Sequence, residues 1–60
     1  MTQEQLNQLA IEMQETLNLY FETRNEITYA RFEGMRDVLN ILGYSVSAVD
    51  GVKITKKEII

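Results

Sequence analysis

An apolar stripe keeps a single helical phase from Leu6 to Leu42, and this constrains the chain more than any other feature. Placed at about 100° per residue, Leu6, Leu9, Ala10, Met13, Leu17, Tyr20, Phe21, Ile27, Met35, Val38, Leu39 and Leu42 share one face, with Phe32 at its edge. Glu4, Glu12, Glu15, Glu22, Glu26, Glu33 and Asp37 occupy a narrow sector opposite. A loop between two helices normally scrambles such a phase. The pattern therefore predicts one amphipathic helix over about residues 2–42. Its start is marked by Thr2-Gln3-Glu4-Gln5, a capping box with Thr2 as N-cap and Gln5 three residues on. Its end is marked by Gly43, placed where a left-handed residue closes a helix. Gly34 lies inside the pattern. It costs about 1 kcal/mol relative to Ala, so it is expected to mark close approach of another backbone or a local bend.

A rival reading comes from Thr23-Arg24-Asn25-Glu26, a second capping box. It would start a new helix after a sharp turn and give a helical hairpin broken near 23–26. Helix length favours the break, because the mean helix has about 11–12 residues. Phase continuity favours the unbroken helix, which is the preferred expectation. Such a helix would be about 60 Å long at 1.5 Å per residue, and nothing else in the chain could cover its stripe.

That stripe bears on assembly. A chain of 60 residues buries only about 60% of the surface its unfolded form exposes. Small proteins usually compensate with disulfides, a metal or oligomerisation. The chain has no cysteine and no histidine, which leaves oligomerisation. The expected interface is Leu6, Leu9, Met13, Leu17, Tyr20, Phe21, Ile27, Met35, Val38, Leu39 and Leu42, in a dimer or tetramer.

The tail has a different period. Asp50-Gly51 sits between β-forming residues, a strong hairpin signal. A two-residue loop would pair Ser47 with Ile54 and mix both faces. A three-residue loop of Val49, Asp50 and Gly51 pairs Ala48 with Val52, Val46 with Ile54 and Tyr44 with Lys56, and sets Ser47 against Lys53 and Ser45 against Thr55. Only the second separates apolar from polar, as a half-buried hairpin needs. It predicts strands over 44–48 and 52–56, with Gly51 in the left-handed conformation. The fold class expected is mainly α with a small β tail, in a single domain. Residues 57–60 either extend the strand or fray.

Several constellations carry possible chemistry. Arg24 and Arg31 lie seven apart in the stripe with Thr28 between them. They read as a polar layer fixing register in an oligomer, or as an anion site. The aromatic and methionine residues of the stripe read as interface core, with a ligand slot as the alternative. The acid pairs Glu12/Glu15, Glu22/Glu26 and Glu33/Asp37 lie on the solvated face, where no desolvation tunes a carboxylate. Lys53, Lys56 and Lys57 form a weak basic cluster, explained as well by edge protection as by nucleic-acid contact. The net charge of −3 is uneven, since residues 1–23 contain no Lys or Arg. No phosphate loop, dinucleotide fingerprint or nucleophile–base pair occurs, so an enzyme is not expected, and no cofactor or metal is implied. Apolar runs reach only three residues, as in Leu19-Tyr20-Phe21, far short of the roughly 20 that a membrane span needs. No basic segment of a secretory signal precedes them, and a cytoplasmic location is expected.

The stretch Tyr29-Ala-Arg-Phe-Glu-Gly-Met-Arg-Asp-Val-Leu-Asn-Ile-Leu-Gly-Tyr44, with the Asp50-Gly51 hairpin behind it, resembles small proteins of bacteriophages and prophages of Gram-positive bacteria. The resemblance covers about half the chain and implies an accessory protein of a mobile element. The expected function is protein–protein binding by a homo-oligomer. The alternatives are a nucleic-acid-binding regulator using Arg24, Arg31, Arg36 and the lysines, and an anti-defence inhibitor that imitates DNA through Glu15, Glu22 and Glu26.

Overall fold

The computed structural model describes residues 1–57, and the ends of the tail expectation, at 58–60, lie outside the described residues. The chain order is α1 (Gln3–Thr23), α2 (Glu26–Ile41), β1 (Tyr44–Ser47) and β2 (Lys53–Lys56). The two helices form an antiparallel hairpin, and the two strands form an antiparallel sheet packed on it.

The start of α1 follows from its capping box. Gln5 N donates to Thr2 Oγ1 at 3.1 Å, and Thr2 N donates back to Gln5 Oε1 at 2.9 Å. Two donors that the first helical turn leaves unpaired are thereby satisfied.

The continuous helix over 2–42 is corrected and the rival helical hairpin, broken near 23–26, is the observed fold: the chain breaks at Arg24–Asn25. Arg24 is left-handed, at φ 54° and ψ 30°, and its N–H donates to Tyr20 O at 2.6 Å. The new helix is capped by Asn25, whose Oδ1 accepts from Ile27 N at 2.9 Å. Thr23 is not the cap that the rival reading assigned. It remains in α1, and its hydroxyl donates to Leu19 O at 2.9 Å. Folding back lets the chain bury part of its own stripe, which a single helix cannot do.

The apparent phase continuity concealed a rotation. The residues buried in α1 are Leu6, Met13 and Leu17, and those buried in α2 are Thr28, Phe32 and Leu39. At about 100° per residue, the second set is turned by roughly 60° from the first. Phe32, placed at the edge of the stripe by the sequence, is core, while Ile27 and Val38, placed on the stripe toward its other edge, are exposed.

Helix α2 ends as expected. Gly43 is left-handed at φ +92°, and its N–H donates to Asn40 O at 3.1 Å. The strand register also matches the expectation: Tyr44 pairs with Lys56, Ser45 with Thr55, Val46 with Ile54 and Ser47 with Lys53. The ladder stops before the expected Ala48–Val52 pair, because Val52 N donates to Gln14 Oε1 of α1 at 2.7 Å instead. Tyr44, Val46, Val52 and Ile54 close one side of the core formed by Leu6, Met13, Leu17, Phe32 and Leu39. Among the described residues no helix is long and apolar enough to cross a membrane.

Candidate functional site

The stripe assigned to an interface divides in two. Leu6, Met13, Leu17 and Leu39 are buried within the chain, and Leu9, Tyr20 and Met35 are half-buried. Phe21, Ile27, Val38 and Leu42 remain exposed. Ile41, outside the stripe, is 84% exposed, and Ile27 is 73% exposed.

Ile27, Val38 and Ile41 among them form a surface on α2. Ile27, Gly34 and Ile41 recur every seven residues, and Ala30 and Val38 lie four residues either side of Gly34. All five are exposed, and the spacing puts them on one outward face, opposite Phe32 and Leu39. Beside this face runs an apolar groove of about 330 Å³, bounded by Met1 and Leu9 at α1 and by Gly34, Met35, Val38 and Leu42 of α2. The groove is open and almost free of polar atoms, so water there gains few hydrogen bonds and its displacement by apolar groups is favourable.

Arg24, Thr28 and Arg31 do not form one layer. Thr28 is buried, and Arg31 is exposed. Arg24 stands at the helix break with its guanidinium carbon 5.7 Å from the Tyr20 ring centre and 5.8 Å from that of Phe21, within cation–π range. Tyr20 also packs on Tyr29, with ring centres 4.8 Å apart. Arg36 pairs with Glu33 at 3.5 Å. Arg31 and Arg36 project from α2 about 140° apart at 100° per residue. Lys57 Nζ donates to Asn40 O at 3.3 Å, near the carbonyl-rich end of α2. Among the described residues no group of carboxylates is arranged to hold a metal ion.

The turn residues Val49, Asp50 and Gly51 are exposed. Gly51 is left-handed at φ +83°, as the three-residue loop requires. A Cβ on Gly51 would lie 3.4 Å from Gln14 Oε1. Gln14 was not singled out by the sequence, yet it ties the hairpin to α1. Its Nε2 is held by Asn18 Oδ1 at 3.0 Å, which aims the amide oxygen at Val52. A glutamine at the edge of a helical stripe carries no signal of such a contact.

No protein-family model, curated protein or solved structure matches the chain.

Proposed function

We propose that the protein is a cytoplasmic, non-enzymatic, homo-oligomeric accessory protein that acts by protein–protein binding through the outward face of α2 and the groove beside it. The observation that carries this reading is the excess of exposed apolar side chains. Ile27, Val38 and Ile41 lie open on α2 and Leu42 at its C-cap, while the core holds Leu6, Met13, Leu17, Phe32 and Leu39. Burying each exposed one is worth about 1.5–3 kcal/mol. Two copies together supply on the order of 10 kcal/mol, against an association cost of about 4–15 kcal/mol. The expected regime is therefore concentration-dependent pairing rather than an obligate assembly. The absence of cysteine and histidine, and the resemblance of residues 29–44 to small phage and prophage proteins, fit an accessory role.

Folding linked to self-association makes the melting temperature rise with protein concentration. The wild type is expected to show that rise, and the double variant Val38→Asp, Ile41→Asp to lose it while still melting cooperatively. A wild-type melting temperature independent of concentration would remove the basis of the reading.

A further inference from the structure

We propose that the outer edge of β1 takes up a third strand, an extended lysine- or arginine-bearing segment of another protein. This edge and the apolar face of α2 are separate surfaces, and either can be occupied without the other.

The ladder fixes which backbone groups are free. Lys57 N donates to Gly43 O at 2.9 Å. Directly bonded pairs alternate with unbonded ones along an antiparallel ladder, so with the observed register Ser45–Thr55 and Ser47–Lys53 are the bonded pairs. The N–H and C=O of Tyr44 and Val46 therefore point out of the hairpin on one side, and those of Ile54 and Lys56 on the other. Val52 shares the parity of Ile54, and its outward N–H is the one that Gln14 of α1 binds. β2 runs beside α1 and β1 beside α2, so the outer edge of β1 faces away from α1. Among the described residues, the outward groups of Tyr44 and Val46 make no hydrogen bond.

The two edges are guarded unequally. β2 carries Lys53 and Lys56 and is followed by Lys57, charges that discourage a further strand. β1, Tyr44-Ser45-Val46-Ser47, carries none. A strand with free donors and acceptors is a template for strand addition, and a two-stranded hairpin gains stability from a third strand.

The flank of α2 selects what that strand carries. Glu33, Arg36 and Asn40 are half-buried on the side of α2 that β1 covers. At about 100° per residue, Asp37 lies roughly 40–60° beyond Glu33 and Asn40, further from the inward-facing Phe32 and Leu39. It is exposed and has no ion-pair partner among the described residues, whereas Glu33 pairs with Arg36. A strand added about 4.8 Å beyond β1 passes over Asp37. A basic side chain on its inner face is paired there, and an acidic one is repelled. The β1 of a second copy fits less well. A two-fold axis at this edge turns the same flank of each α2, with its Asp37, toward the other.

The test is an NMR titration of the full chain, at low salt, with an acetylated and amidated hexapeptide that alternates lysine and threonine. Saturable shifts and slowed exchange are expected at the Tyr44 and Val46 amides. Glutamate in place of the peptide lysines should weaken binding at least about ten-fold, and so should Asp37→Lys, a change at an exposed residue that keeps full helix content. N-methylation separates pairing from charge, because only one of the two alternating sets of peptide N–H groups faces β1. Methylating one set should abolish binding, and methylating the other should leave it within about three-fold. No saturable change at Tyr44 and Val46 overturns the edge as a site. Two methylated sets that bind alike overturn strand pairing, and an Asp37→Lys chain that binds like wild type overturns the charge selection. Protection of Tyr44 and Val46 that rises with protein concentration, without peptide, overturns the choice of occupant in favour of a second copy.

Discussion

On one side of α2, Thr28, Phe32 and Leu39 are buried, whereas on the other Ile27, Val38 and Ile41 are more than half exposed. Both sides carry large apolar side chains. They differ in what the rest of the chain can bring against them. α1 and the β-hairpin close the inner side, and after that no segment among the described residues is left for the outer one. The contrast teaches that an apolar pattern measures how much surface a chain needs covered, not how much it can cover itself.

The comparison is sharpest under substitution at low protein concentration, where copies are apart. Leu39, 1% exposed, should lose about 3 kcal/mol of stability on Leu39→Ala through lost burial and the cavity left behind. Val38→Asp on the outer face should change the same melt by less than about 0.5 kcal/mol. Equal losses at the two positions would mean that the outer face is covered within the protomer.

The hairpin's attachment gives the next effect. Gln14→Ala leaves Val52 N without its partner on α1, at a cost of about 1 kcal/mol. Amide exchange should accelerate at Val52 and its strand neighbours, with α1 amides little changed. Uniform acceleration across the chain would show that the hairpin is not held by this bond.

The smallest effect is at the break. Arg24 holds a left-handed conformation that an L side chain adopts at a cost of roughly 1–2 kcal/mol. Arg24→Gly relieves this but gives up the contacts with Tyr20 and Phe21 and gains chain entropy when unfolded. The net expectation is a gain of about 0.5 kcal/mol in a thermal melt, and a loss of more than 1 kcal/mol would show that the stacked guanidinium outweighs the strain.

What the sequence made legible follows from how rigid each period is. The strand period of two leaves no intermediate phase, so segregating Val46 and Ile54 from Ser47 and Lys53 selected the observed register. The capping box at Thr2 and Gln5 is local and was equally readable. The helix break was readable only as the rival to a continuous helix: Thr23-Arg24-Asn25-Glu26 offered it near 23–26, but its left-handed residue is Arg24 rather than a glycine, and a rotation of roughly 60° is small enough to pass for continuity. That rotation also moved Phe32 into the core and Ile27 and Val38 out of it. The Gln14–Val52 contact joins residues 38 positions apart, and no local pattern marks it. For the surface itself, the sequence identified which residues are apolar, but the fold decides which of them remain open.

The most direct test of the central claim, that the outer face of α2 is a surface for a second copy, is the absolute molar mass of the wild type by light scattering over a concentration series. A mass that climbs from 7.0 kDa toward twice that value, and does not climb for Val38→Asp, is the predicted result. A mass that stays at 7.0 kDa into the millimolar range would contradict it.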